Sequence, residues 1–308
     1  MRRRALIASF AAAGLMSAVK GYGATVTPSL RLVVLDWSLT ELLLSAGIVP
    51  VGVSNPHGFR RVYTACDLPA QVVDLGLMFQ PNLELLLALK PDLILVTPAH
   101  AALHASLERI APTVTFGQFR SSPTPYSAAK GETLALGRLF GRERAAKDAI
   151  AAADAALMWA RTSISAMPAL RSRPLYIARF IDDALLRVYG TRSFYGELMA
   201  QLGLDNAWRD HRGAAAFTTM RFDDLRTAPD STLVYIKPLA VSAASMMETS
   251  PLWQAMPFSK VSGTLALPSI PPDGGTLSAT YFAESLTQVL TREFSGSDRA
   301  TSSSEERS

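Results

Sequence analysis

Between Leu30 and Gly117, short apolar or β-branched runs alternate with segments whose apolar residues recur at helical spacing: "RLVVLDW", "TELLLSAG", "VPVGVS", "VVDLG", "NLELLLALK", "LILVT", "LHASLERI" and "TVTFG". Strands that are apolar throughout, separated by amphipathic helices, are what a parallel sheet covered on both faces requires. A second series starts at Pro174 with "PLYIARF", "LLRVYG", "FYGELMAQLG", "FDDLR", "TLVYI", "PLWQAM" and "GTLALP", and closes on a helix around "TLSATYFAESLTQVLTREF". The pattern predicts two α/β lobes, over residues 24–125 and 168–293.

The segment joining them, 126–167, has no proline and carries apolar residues at Leu139, Ile150, Ala153, Leu157, Ala160 and Ile164. This spacing predicts one long connecting helix, about 40 residues and about 60 Å, that crosses both lobes and ends at Pro168. Gly131, Gly137 and Gly141 weaken its first half and leave room for a break there. Such a connection predicts a stiff clamp with a ligand cleft between the lobes. Residues 294–308, with "SGSDRATSSSEERS", lack apolar anchors and read as a disordered tail.

The opening "MRRRALIASFAAAGLMSAVKGYGA" places three arginines before an apolar run and small residues after it, the layout of a cleaved export signal over residues 1–23. Cleavage is expected after Gly23 or Ala24, and the mature chain in the periplasm. Arg2, Arg3 and Arg4 fit both an ordinary secretory start and the twin-arginine route. The signal also accounts for the formal charge of +4, because without it 26 basic residues face 26 acidic ones. A neutral mature chain with no basic block is not expected to bind nucleic acid. The single cysteine, Cys66, allows no internal disulfide and is expected to be a packing or loop residue.

The chain has no G-x-S-x-G elbow, P-loop, G-x-G-x-x-G turn after a strand or cysteine-based metal motif, so it is not expected to be an enzyme. The histidines are His57, His100, His104 and His211; His100 and His104 have a spacing that suits a metal on one helix face, or simply polar positions at a lobe edge. Residues at the ends of predicted parallel strands, where α/β proteins hold ligands, include Trp37, Phe79, His100, Arg179 and Phe180. Glu84 stands out in "QPNLELLLALKPDLILVT", and Asp223 occupies a matching place in "MRFDDLRTAPDSTLVYI" when the Pro-Asp pairs are aligned. Periodicity alone leaves both acids readable as ordinary solvated residues.

With "LDWSLTELLLSAGIVPVGV", "DLGLMFQPNLELLLALKPD", "ERIAP", "LGLDNAW", "PLWQAMPF" and "GGTLSA" in this order, the chain resembles the periplasmic ferric-siderophore-binding proteins of ABC importers, and within them the hydroxamate binders. The resemblance implies two lobes bridged by a long helix and a ferric siderophore held in the cleft. Iron would stay inside its chelate, so no cofactor and no protein ligand to the metal are implied. It also implies delivery to an inner-membrane ABC permease by a monomer, with Glu84 and Asp223 as docking acids on the two lobes.

For the cleft, the resemblance points to Trp37, Met78, His100, Phe180, Trp208, Phe217 and Asp273. Met78 stands where hydroxamate binders have an arginine that touches the iron-bound oxygens, and His100 where they have a tyrosine. Ala215, Pro271 and Asp273 stand at aromatic positions, Trp37 and Trp208 are kept, and Phe180 and Phe217 supply apolar wall. Arg179, Arg192 and Arg212 are the candidates for a replacement cation. The alternative is a haem or other metal-chelate binder of the same fold that uses His100 as ligand.

Overall fold

The first strand, β1 (Leu32–Val34), is buried at every position, as a central parallel strand must be. It leads into α1 (Trp37–Ser45), and β2 (Gly52–Val53), α2 (Pro56–Val62) and β3 (Val73–Asp74) follow. A small hairpin of β4 (Gly76–Leu77) and β5 (Gln80–Pro81) comes next, then α3 (Leu83–Ala88), β6 (Leu93–Val96), α4 (His104–Leu107) and β7 (Thr113–Thr115). The sheet order is β3-β2-β1-β6-β7, parallel throughout, with Val33 facing Gly52 on one side and Ile94 on the other. This computed structural model describes residues 30–170, 173–209, 216–227, 231–259 and 263–294. The expected export signal, the tail from residue 295 onward, and His211, Arg212 and Ala215 lie outside the described residues.

The connecting segment departs from the single rod predicted for it. It forms α5 (Pro125–Leu139) and α6 (Glu143–Ser165), with Gly141 between them in the left-handed region at φ +67°. Glycine takes that conformation without strain, and here it reverses the chain. The helices fold back on each other: Lys130 of α5 pairs with Asp154 of α6 at 2.8 Å. A Cβ on Gly137 would lie 2.6 Å from that of Ala146, so the glycine permits the close approach. The bridging element is therefore α6 alone, 23 residues and about 35 Å long. Its buried residues Ala146, Ala153, Leu157, Ala160 and Ile164 keep one apolar face along the whole helix.

The second lobe has β8 (Leu175–Phe180), β9 (Leu185–Tyr189), α7 (Phe194–Leu202), β10 (Phe217–Arg221), β11 (Thr232–Ile236), α8 (Val241–Thr249), α9 (Pro251–Gln254), β12 (Thr264–Leu267) and α10 (Thr276–Phe294). Its sheet order is β10-β9-β8-β11-β12; β8, β11 and β12 run parallel, while β9 is antiparallel to both its neighbours, β8 and β10. Side-chain alternation divides this sheet cleanly. Leu175, Ile177 and Tyr189 join the core under α6, α7 and α10, whereas Tyr176, Ala178, Phe180, Leu186 and Val188 join the core on the other face. Phe294 is buried at the end of α10, so the helix runs one residue into the segment expected to be tail. Among the described residues no helix is long and apolar enough to cross a membrane.

Candidate functional site between the two lobes

The carboxyl ends of the two parallel strand arrays meet across a cluster of charged groups. Asp36, just after β1, caps α1 by accepting from the backbone N–H of Ser38 at 2.9 Å. Its other oxygen accepts from Arg120 Nη1 at 3.1 Å. Arg120 follows β7 and reaches across the lobes, its Nε lying 3.3 Å from Asp273 in the loop before α10. Tyr63 at the end of α2 donates its hydroxyl to Asp273 at 3.0 Å. Burial raises the Asp273 carboxyl above the usual aspartate range and nearby Asp36 adds to the rise, while Arg120 pulls it back.

Further bonds tie the lobes at the rim. Thr64 donates to the carbonyl of Ser269 at 2.9 Å, and Ser269 Oγ donates to the carbonyl of Val62 at 3.3 Å. Glu197 of α7 accepts from the backbone N–H groups of Tyr126 and Ser127 at 2.7 and 3.0 Å, satisfying orphan donors at the start of α5. Glu41 of α1 is fully buried, at 0% exposure, and accepts from Ser278 N at 2.7 Å and Ser278 Oγ at 2.9 Å in the first turn of α10. The helix terminus favours the carboxylate. Loss of water outweighs it and raises the Glu41 pKa to about 7.

On the first lobe, His100 is only 1% exposed, beneath an exposed Phe79 whose ring stacks on it at 5.0 Å. Its Nδ1 accepts from Thr97 N at 3.2 Å, which leaves the proton on Nε2, buried and unpaired. Burial holds its pKa below the ordinary histidine value, against the opposite pull of Asp36 and of the Met78 backbone. The His100–His104 spacing does not make a metal face: His100 lies in a 3₁₀ turn, Pro98–Leu103, that ends before α4, and three residues per turn separate the two side chains. His104 instead faces Glu108 at 3.8 Å. Among the described residues no group of three His, Cys, Asp or Glu could hold a metal.

Trp37 is half-buried; its indole donates to the Ser54 carbonyl at 2.7 Å and its ring meets Tyr63 edge to face at 6.3 Å. It backs the tyrosine that holds Asp273. Met78 is half-buried in the turn between β4 and β5. Two expectations for the second lobe need correction. Phe180 is 5% exposed and packs edge to face on Tyr235 and Trp253, and Trp208 packs into the same core with its indole donating to Thr218 Oγ1 at 3.2 Å. Strand alternation puts Phe180 on the face opposite Arg179 and Thr218 on the face opposite Phe217, and Trp208 follows Thr218, so neither aromatic joins the wall that Arg179 and Phe217 form. Phe217 is 38% exposed, with the Arg187 guanidinium 4.2 Å over its ring.

Cys66 is buried and unpaired, and burial drives its thiol far up, which makes it an inert packing residue. Glu84 is exposed in the first turn of α3. Asp223 is half-buried and engages Arg221 Nε at 3.0 Å. Sequence reasoning missed Arg120, Tyr63, Glu41 and Arg187. The strand-end rule that singled out Trp37 also applies to Arg120, which lies five residues beyond β7.

Two α/β lobes, a bridging helix and a polar interlobe cleft define a binding protein, and the periplasmic binding protein family model matches residues 32–261. The chain belongs to that family, one of carriers and not of enzymes. It is 29% identical over 289 residues to the iron(3+)-hydroxamate-binding protein FhuD of Escherichia coli, covering 94% of this chain and 96% of that protein. The solved structure of FhuD from Vibrio cholerae with Fe3+–Desferal bound superposes with a TM-score of 0.80 at 29% identity, over 85% of this chain and 98% of the other. The ferric-anguibactin-binding protein FatB of Vibrio anguillarum is 30% identical over 182 residues, 58% of this chain and 54% of that protein.

Proposed function

We propose that the protein is a periplasmic carrier that binds a ferric siderophore, of hydroxamate type or a variant of it, in the interlobe cleft and delivers it to an ABC-type permease. The observation that carries this reading is similarity to hydroxamate binders over nearly the whole chain, joined to a cleft built from strand ends of both lobes. The iron travels inside its chelate, so this reading asks for no protein ligand to the metal. The haem reading is not supported: iron ligation by His100 would require a ring that is 1% exposed to leave its stack with Phe79.

Permease docking rests on Glu84, which sits on α3 between the exposed Leu83 and Leu87, beside a hairpin that exposes Leu77. An exposed acid in an apolar surround suits an arginine on a partner, the charge setting orientation and the leucines adding area. Asp223 is the matching acid of the second lobe, and Arg221 would have to yield it to the permease. Export follows the N-terminal signal, with a monomer presenting both lobe tips to one permease.

Titration of intrinsic tryptophan fluorescence with ferric hydroxamates, carboxylates, catecholates and haem tests the carrier reading. Saturable quenching by a ferric siderophore is expected, and no response to any would overturn it. Glu84→Ala with Asp223→Ala is expected to leave that titration unchanged and to abolish uptake in cells; normal uptake would refute the docking assignment.

A further inference from the structure

Arg179 of β8 and Arg187 of β9 are direct cross-strand partners, so both side chains leave the same face of the sheet, one residue short of the cleft end of β8. Like charges placed opposite each other repel, and a pair of this kind is ordinarily neutralised by an acid. Here it is not. Neither guanidinium makes an ion pair among the described residues, and the Nε of each is buried without an acceptor. Arg179 spends one nitrogen on the Ile270 carbonyl at 3.2 Å, and Arg187 lies on the Phe217 ring.

The loop that receives Arg179 is the one that closes on the other lobe. Ser269 bonds Thr64 and Asp273 bonds Tyr63 and Arg120, so the arginine pair borders the cleft. The nearby acids are already committed. Asp36 and Asp273 both hold Arg120, so the one second-lobe carboxylate beside the arginine pair is spent on a cation of the other lobe. Tyr189 lies among these groups, since both arginines and Asp273 act on its phenol.

We propose that Arg179 and Arg187 form an anion-recognition site on the second-lobe wall, and that the iron chelate carried here bears a carboxylate which this pair receives. A guanidinium presents a planar fork that matches the two oxygens of a carboxylate. Phe217 supplies an apolar shelf that holds the fork in place and excludes water from it. The site deepens the carrier reading by choosing within it a carboxylate-bearing variant over a plain trihydroxamate, and it rests on that reading.

The test is fluorescence titration of the mature protein with ferric dicitrate, a neutral ferric trihydroxamate and a ferric tris-catecholate, each at about 20 and about 500 mM salt. The carboxylate chelate is expected to bind tightest and to weaken about tenfold or more at high salt, with the neutral chelate nearly unaffected. Arg187→Gln is expected to lower affinity for the carboxylate chelate about tenfold or more and for the trihydroxamate less than twofold. Arg187→Lys, which keeps the charge and loses the fork, is expected to fall between. Circular dichroism and Tm establish that each variant folds, and the salt arm needs no variant. Preference for the trihydroxamate or the catecholate, with no salt effect on the carboxylate chelate, overturns the anion site and leaves the carrier standing. Binding of no chelate overturns the carrier reading and the site with it.

Discussion

Replacing Glu41 by glutamine isolates the cost of one buried charge at the joint between the lobes. The carboxyl titrates near 7 in the folded chain against the ordinary value of 4.5. Below about pH 4.5 both folded and unfolded forms bind the proton and the shift contributes nothing. Between the two values the folded form keeps a proton that the unfolded form has released, so stability falls as pH rises, by up to about 1.4 kcal/mol per pH unit. Above 7 the full difference is reached, about 3 kcal/mol. Glutamine keeps the acceptor for Ser278 N, and the Ser278 hydroxyl can turn to accept from the new amide. Tyr63, Cys66 and Tyr126, which feel the Glu41 charge, all have their pKa values raised by burial and stay neutral throughout this range, and Asp273 is common to both proteins. Urea denaturation followed by tryptophan fluorescence at pH 5, 6, 7 and 8 measures the effect. The wild-type protein should lose about 2.5 kcal/mol relative to Glu41→Gln over that range, with equal m-values. Parallel curves would refute the reasoning, because they would mean that Glu41 ionises in the fold as readily as in water.

Arg120→Met removes the cation that Asp36 and Asp273 share, so it should cost about 1–3 kcal/mol at pH 7 and less in acid, where protonation of Asp273, its carboxyl raised by burial, relieves the pair; denaturation at pH 7 and pH 4 checks it. The two α5 glycines should respond with opposite signs. Gly131→Ala, which meets nothing within 4 Å, should gain up to about 1 kcal/mol from helix propensity. Gly137→Ala, whose Cβ would lie 2.6 Å from that of Ala146, should lose about 1–2 kcal/mol after the same gain, because the α5–α6 contact must open; equal effects in thermal melts would refute the hairpin packing.

The parallel strands were legible because a strand covered on both faces must be apolar at every position, and "RLVVLDW" and "LILVT" satisfy that demand without help from distant residues. The α5–α6 reversal was not, because apolar spacing continues across it; only the left-handed φ of Gly141 distinguishes a break from a weak point in one rod. The site divides in the same way. Strand ends pointed to Trp37, His100 and Arg179, but Tyr63, Arg120 and Glu41 act through partners 210, 153 and 237 residues away, and no local pattern encodes such pairs. Phe180 shows what a single contact adds. In "PLYIARF" an alternating strand gives two faces, and the sequence does not say which one meets the cleft. Once the Arg179 guanidinium is seen on the Ile270 carbonyl, period two sends Phe180 to the opposite core. The antiparallel register then carries the choice across to Arg187, and from there to Thr219 on β10, with Phe217 two residues away on the same face. One hydrogen bond thus fixes the wall on three strands, and an aromatic residue that the resemblance offered as wall becomes the core that holds it.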